Sequence, residues 1–212
     1  MLSKNIHMAL AETVYLTPEE YFSIESNTIT KYEYHKGQIY AMAGASIVHN
    51  EIVSNLLFAI NKILSKEPCK IYPSDLRLRI EKEDLYTYPD AMIVCGKPEM
   101  LLNRNDTILN PKIIFEVLSN STESYDRSKK FSLYRNIPSL KEYVLISSRS
   151  IKVEKFKSVG NGEWLFKDFN EFESFQLEFL DFKNLIPVNE LYSKIDWSLA
   201  EPIPEIEKIH MV

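Results

Sequence analysis

The sequence predicts a mixed α/β (α+β) fold built around a central β-sheet. Helix-like and strand-like segments follow in the order helix, hairpin, helix, a strand-rich middle crossed by one helix, and further strands. The apolar runs AMIVC (91–95) and IIFEVL (113–118) have the length and composition of buried strands. Hydrophobic residues make up 45% of the 212 and charged residues 26%, as in soluble globular proteins. We therefore expect one domain over residues 1–197 and a tail over 198–212.

Helices are predicted from capping signals and apolar periodicity. Residues 17–20 (TPEE) combine an N-cap, a proline at the first helical position and a capping-box glutamate, which predicts a short helix to about Ser26. Ser46 caps a longer helix, whose apolar residues recur at helical spacing up to Leu64. A third helix is predicted over 124–136, ending before Pro138, and a short closing helix over 188–195.

Strands are predicted from alternation and turn residues. Lys36-Gly37 separates two β-like runs and predicts a hairpin. The segment LRLRI (76–80) alternates strictly, so one side of that strand should be polar or solvated. The run KEYVLIS (141–147) reads as a buried strand, IKVEKFKS (151–158) as its hairpin partner, and GEWLFKDF and SFQLEFL (162–169 and 174–180) continue the pattern.

Composition limits the class of protein. No apolar run approaches the roughly 20 residues of a membrane span, and the N-terminus lacks a signal peptide pattern, so we expect a cytoplasmic protein without membrane contact. Cys69 and Cys95 lack the spacing of a zinc site and are expected to be separate buried thiols. The net charge of −5 disfavours nucleic-acid binding without excluding it, because a local basic surface remains compatible with it.

Three polar residues stand where burial should exclude them. Asp90 precedes the strand AMIVC, Glu116 lies inside IIFEVL, and His49 falls on the apolar side of its helix. A carboxylate in a buried strand costs several kcal/mol unless it is paired, protonated or metal-bound. A divalent cation between Asp90 and Glu116 would remove their repulsion, and Mg²⁺ or Mn²⁺ suits such oxygen ligands. This pair predicts a metal site for phosphodiester hydrolysis, with a nearby lysine to orient or deprotonate water.

Several motifs together resemble one known family. Tyr88-Pro89-Asp90 and the segment 113–119 (IIFEVLS), with Tyr32-Glu33, Gly37 and His49 upstream and Asp126, Lys130, Tyr134 and Glu142-Tyr143 downstream, are similar to the Uma2 family of restriction-endonuclease-like proteins. The resemblance covers about residues 15–190. It implies a restriction-endonuclease-like core of the PD-(D/E)XK type, a central mixed sheet flanked by helices, with added hairpins.

The resemblance also implies roles for particular residues. The motif lysine two residues after the second acid is replaced by Leu118, and the family supplies a migrated lysine from the next helix, which here would be Lys130. The resemblance marks Glu33 as a further site residue. Asp90 and Glu116 would hold the metal with the Val117 carbonyl as a third ligand, while Glu33 and His49 would bind a second metal, orient water or contact phosphate. By analogy with restriction enzymes, we expect DNA as substrate and a homodimer.

Each site residue has an ordinary structural alternative. Asp90 could be a turn residue, Glu116 half of a buried salt bridge, His49 a core histidine and Glu33 an exposed strand carboxylate. Lys130 could simply pair with Asp126, with Lys129 as the competing lysine.

Three functions remain open at this point. The first is a Mg²⁺-dependent DNA endonuclease. The second is an inactive DNA-binding or protein-interaction module on the same fold, and the third is a phosphodiesterase acting on RNA or small nucleotides.

Overall fold

The helices begin where the capping signals place them. The computed structural model describes residues 15–120, 122–178 and 185–200. Thr17 caps the first helix with a complete capping box, and the Ser46 side chain accepts a hydrogen bond from His49 N–H at the start of the second. The helices are α1 (Pro18–Ser26), α2 (Ile47–Leu64), α3 (Glu123–Tyr125) and α4 (Phe131–Tyr134).

The third predicted helix is continuous but not uniform. A π-helical turn, Asp126–Lys130, joins α3 to α4. Such turns are rare and occur mostly as single turns inside α-helices, frequently at functional sites. The predicted closing helix is a short 3-10 helix, Val188–Tyr192, and further 3-10 turns cover Glu81–Glu83 and Trp197–Leu199.

The described residues form thirteen strands in three sheets. The strands are β1 (Tyr32–His35), β2 (Gln38–Ala41), β3 (Cys69–Pro73), β4 (Arg77–Ile80), β5 (Leu85–Thr87), β6 (Ala91–Cys95), β7 (Thr107–Ile108), β8 (Ile113–Leu118), β9 (Glu142–Ser147), β10 (Lys152–Gly160), β11 (Glu163–Asn170), β12 (Ser174–Phe175) and β13 (Ile186–Pro187). The six-stranded sheet has the order β11-β10-β9-β8-β6-β3, and the five-stranded sheet the order β2-β1-β5-β4-β7. The strands β12 and β13 pair separately.

The mixed α/β fold predicted from the sequence is confirmed. The six-stranded sheet is the predicted central mixed sheet, because β8 runs parallel to β9 and antiparallel to β6. The first hairpin, expected as an appendage, instead belongs to a second sheet, because β1 pairs with β5 as well as with β2.

Both faces of the six-stranded sheet are covered. Helix α2 packs on one face, with Ile52, Leu56 and Ile60 fully buried against the sheet. The other face contacts strand β4, through side chains such as Leu78, and the helix that contains the π turn, through side chains such as Leu133. The central strand β8 is therefore buried along its whole length, which matches its continuous apolar sequence.

One side of β4 is polar, as its alternation predicts, but the alternative that this side is solvated is wrong. Arg77 is only 5% exposed, because its guanidinium forms a salt bridge with Glu25 and donates to the Tyr88 hydroxyl at 2.9 Å. Asp106, which also accepts from Arg104, lies 3.4 Å from the same guanidinium. We call these five residues the arginine cluster; they replace solvent on the polar side of the strand.

The expectation of separate thiols is also wrong. Cys69 and Cys95 stand directly opposite each other across β3 and β6, and they form a disulfide. The spacing of 26 residues carries no sign of this contact, which only the strand register creates.

Parts of the predicted organisation fall outside the described residues. Residues 179 and 180 of the last predicted strand segment and residues 201–212 of the predicted tail are among them. None of the described helices has the length and hydropathy needed to cross a membrane.

Candidate active site

Asp90 and Glu116 lie side by side at the centre of the large sheet. Strands β6 and β8 pair with Ala91 opposite Phe115, so the residue before β6 faces the residue after Phe115. Asp90 N–H approaches Glu116 Oε2 at 3.4 Å, and Val117 N–H donates to Asp90 Oδ2 at 2.7 Å. The Asp90 carboxylate is therefore held against strand β8 by a short hydrogen bond from the backbone, so Asp90 is more than a turn residue.

Glu116 is almost completely buried, and two donors share one of its oxygens. Lys130 Nζ lies 3.0 Å and the Tyr134 hydroxyl 2.8 Å from Oε1. Both donors come from the helix that contains the π turn, which keeps Asp126, Lys130 and Tyr134 on its buried side. These three residues, spaced four apart in the sequence, therefore share one face of the helix. The Tyr134 contact was not predicted from the sequence, although its four-residue spacing from Lys130 was the available signal.

Lys130, not Lys129, is the lysine that reaches the carboxylates. Besides Glu116, its ammonium lies 3.1 Å from Asp126 Oδ1 and 3.8 Å from Glu33 Oε1. Lys129 is exposed, and its ammonium lies over the Tyr125 ring instead. The alternative of a pair with Asp126 is real, but it accompanies the contact with Glu116 rather than replacing it.

Glu33 and His49 border the same group. Glu33 is not an exposed strand carboxylate, since its side chain is 15% exposed and accepts a hydrogen bond from the Thr87 hydroxyl. His49 Nε2 lies 3.2 Å from Asp90 Oδ2. The five side chains predicted as site residues therefore converge, and Asp126 joins them through Lys130. We call these six residues the carboxylate site: Asp90, Glu116, Asp126, Glu33, Lys130 and His49.

Burial and neighbouring charges shift the pKa values of Glu116 and Lys130. Burial raises the pKa of Glu116 to about 8, with Lys130 opposing the shift and Asp90 and Asp126 adding to it. Burial by itself lowers the pKa of Lys130, but Glu116 and the other surrounding acids raise it well above its usual value. Lys130 therefore stays charged and acts as a donor rather than a base.

The position where the motif would have a lysine is occupied by a buried leucine. Leu118 lies on the same face of β8 as Glu116, two residues away, and is 3% exposed within the apolar core. The helix above this face places the Lys130 ammonium against Glu116 instead. A lysine supplied from this helix therefore replaces one supplied from the strand.

The donor set suits a hydrated metal better than a full protein cage. Among the described residues, no three or more His, Cys, Asp or Glu side chains gather in a metal-binding arrangement. Within this part of the chain, Asp90 Oδ1 accepts no hydrogen bond and Glu116 Oε2 has only the long contact with Asp90 N–H. Asp90 is 19% exposed, so solvent reaches this side. Asp90 Oδ1 and the weakly bonded Glu116 Oε2 fit Mg²⁺, which keeps several waters.

The carbonyl of Val117, predicted as a third ligand, borders the site. Burial alone would lower the pKa of His49, but the hydrogen bond between its imidazole and the Asp90 carboxylate raises it, and the Val117 carbonyl adds to this rise. The carbonyl therefore lies beside His49.

Comparisons with known proteins identify the family and support the fold. The family model Uma2, described as "Putative restriction endonuclease", matches residues 18–188. Two Synechocystis sp. (strain PCC 6803) proteins, the "Uncharacterized protein sll1609" and the "Uncharacterized protein slr1290", are each 36% identical to the chain. The first alignment covers 81% of this chain and 97% of its relative, and the second 77% and 85%.

A solved structure has a similar fold. The crystal structure of "a putative nuclease belonging to DUF820" from Anabaena variabilis aligns with a TM-score of 0.64 over 78% of this chain and 92% of that one. Its sequence is 17% identical, so the likeness concerns the fold.

Proposed function

Because the chain belongs to the Uma2 family, we propose that it is a Mg²⁺-dependent nuclease that hydrolyses phosphodiester bonds in DNA. One observation supports this most directly: Asp90 and Glu116 are adjacent across two strands, and Lys130 lies 3.0 Å from Glu116. Two acids and one lysine around a solvent-reachable edge are the groups that phosphodiester hydrolysis needs.

Asp90 would hold the metal through Oδ1 and Glu116 through Oε2, with Val117 contributing its carbonyl. Once bound, Mg²⁺ would polarise the scissile phosphate and acidify a water molecule; Mn²⁺ would serve equally. The acids are fixed before any substrate arrives, since Val117 N–H holds Asp90 and Tyr134 holds Glu116. Such preorganisation reduces the reorganisation needed during the reaction.

Lys130 would position the attacking water and stabilise negative charge on the phosphate. Its ammonium is surrounded by three carboxylates, which keeps the charge in place, and it points from the helix toward the metal-binding pair. Glu33 and His49 would act as positioning residues, because Glu33 faces the lysine and His49 faces Asp90.

Plasmid cleavage tests this proposal. Purified wild-type chain is incubated with supercoiled DNA and Mg²⁺ or Mn²⁺, beside Asp90→Ala, Glu116→Ala and Lys130→Ala. We expect nicking or linearisation by the wild type and a loss of about 10²–10³-fold in each variant, the size expected when one charge-stabilising group is removed. The exposed acid Glu171 supplies a matched control, Glu171→Ala, which should cleave normally.

The outcomes separate the parts of the proposal. Cleavage that survives Glu116→Ala indicates a contaminating enzyme and contradicts the proposed site. Full activity in Lys130→Ala removes the lysine assignment but leaves the metal pair. Parallel assays on RNA distinguish a ribonuclease from a deoxyribonuclease.

A second candidate is a catalytically inactive DNA-binding or protein-interaction module. It is favoured by Leu118 at the motif lysine position and by the net charge of −5. Calorimetry with Mg²⁺ or Mn²⁺ decides between them: the nuclease predicts metal binding that Asp90→Ala abolishes, whereas the module predicts none. A salt-dependent gel shift would then show whether the module binds nucleic acid.

A further inference from the structure

The outer strand β11 offers an unusually long open edge. It spans Glu163–Asn170 and ends the six-stranded sheet, and among the described residues no strand pairs with its outer side. The opposite edge strand, β3, has five residues and ends at Pro73, which lacks an N–H to donate. Exposed edge strands are templates for pairing with another chain.

Apolar side chains are exposed along this edge. Leu165 is 59% and Phe166 55% exposed, and they project to opposite faces of the sheet. Edge strands that avoid pairing are typically short or carry charges along the strand. The first half of β11 instead contains the apolar run Trp164-Leu165-Phe166, with Glu163 before it and Lys167 and Asp168 after it.

A row of aromatic side chains crosses three strands and ends at the exposed Phe166 on this edge. Tyr143, Phe156 and Phe166 are direct neighbours across β9, β10 and β11, with ring centroids 6.2 Å and 5.1 Å apart. Phe131 covers the row from above, at 4.3 Å from the Phe156 ring and 5.4 Å from the Trp164 ring. A further aromatic side chain beside Phe166 would continue this packing.

From these observations we propose that two copies of the chain pair antiparallel through β11, centred on Leu165. In a two-fold symmetric antiparallel pair within one sheet, a central residue faces its own copy and the flanking residues pair reciprocally. With Leu165 at the centre, Trp164 faces Phe166 and Glu163 faces Lys167, each twice. The aromatic row then continues through the second copy, and both outer pairs join opposite charges.

Neighbouring registers lack this match. A centre at Phe166 places Leu165 opposite Lys167 and Trp164 opposite Asp168. A centre at Lys167 places two lysines face to face, which is destabilising. Only the Leu165 register pairs apolar with apolar and acid with base, so charge complementarity selects a second copy as the partner. This inference stands on the edge strand alone and does not depend on nuclease activity.

Charge exchange at the outer pair tests the register. The full chain, Glu163→Lys, Lys167→Glu and the double variant are compared by sedimentation velocity. We expect a wild-type dimer, and a dissociation constant raised about tenfold or more by each single variant, since like charges then face each other twice. The double variant should dimerise again. An equimolar mixture of the two single variants should form a heterodimer, because every outer pair again joins a lysine to a glutamate.

A matched control is Lys70→Glu, an exposed lysine on the opposite edge strand, which should dimerise like the wild type. A monomeric wild type would overturn the proposal. So would dimers that are unaffected by both single variants, or a mixture of the single variants that stays as monomeric as each alone.

Discussion

Two buried charged clusters in this molecule differ in their balance of charge. In the arginine cluster, Arg77 and Arg104 face Glu25 and Asp106, so each cation has an acid. In the carboxylate site, three acids surround a single lysine, and the fourth acid, Asp90, faces the imidazole of His49. A buried, balanced cluster can be complete as folded, whereas an excess of buried acid calls for a cation. In this molecule the imbalance of charge, rather than the presence of buried charge, distinguishes the candidate site from the arginine cluster.

The largest expected effect concerns the balanced cluster. Arg77→Met leaves the buried Glu25 without its cation, so the free energy of unfolding should fall by about 3–5 kcal/mol. Urea denaturation of the metal-free chain measures this, and Lys70→Met, at an exposed position, should change it by less than about 0.5 kcal/mol. A loss below about 1 kcal/mol in Arg77→Met would show that the arginine cluster contributes little to stability and would remove the contrast between the two clusters.

The excess of acid should make the second cluster respond to cations. Adding Mg²⁺ at about 100 times its dissociation constant should raise the free energy of unfolding by about 2.7 kcal/mol. Asp90→Ala should abolish this stabilisation, whereas Asp106→Asn, an acid of the balanced cluster, should keep it. Thermal unfolding with and without Mg²⁺ measures the effect, and equal stabilisation of both variants would place the cation elsewhere.

The hydrogen bond from Tyr134 to Glu116 is expected to support metal binding at the carboxylate site. Tyr134→Phe removes one of two donors from Glu116 Oε1, a charge-assisted bond worth about 1.5–3 kcal/mol. We expect Mg²⁺-dependent cleavage and Mg²⁺ affinity to fall by about tenfold or more. Tyr192→Phe, which removes a buried hydroxyl from the Ser147 and Lys152 carbonyls, should lower stability without changing either quantity. Unchanged Mg²⁺ affinity in Tyr134→Phe would assign Tyr134 a purely structural role.

The smallest effect is the pH dependence of the balanced cluster. Hydrogen bonding from Arg104 lowers the pKa of Asp106 to about 2, below its ordinary value of 3.8. The folded chain therefore binds this proton less readily than the unfolded chain, so the stabilisation is present above the ordinary pKa and is lost as the pH falls toward about 2. Because Asp106 is partly exposed, the gain over Asp106→Asn should stay below about 1 kcal/mol. Urea midpoints across this range measure it, and a difference that grows on acidification would reverse the assigned sign.

Much of the local structure could be predicted from sequence. Capping residues placed α1 and α2, the Lys36-Gly37 turn placed the first hairpin, and the apolar runs at 91–95 and 113–118 became adjacent central strands. These signals depend on residues close together in the sequence, so they can be recognised without the tertiary structure. The membership of the first hairpin in a second sheet could not be predicted, because it depends on pairing with β5, some fifty residues away.

The same distinction applies to the candidate site. Asp90, Glu116 and His49 were found because a polar residue in an apolar segment is a local anomaly, and Glu33 and Lys130 because they match the motifs of the Uma2 family. Their convergence, the hydroxyl of Tyr134 on Glu116 and the burial of Leu118 depend on how a helix packs across a sheet. Side-chain chemistry, caps and periodicity were therefore determined by the sequence itself. The disulfide, the arginine cluster and the excess of acid around one lysine were decided by the tertiary structure, because contacts between distant segments form only when strands and helices assemble.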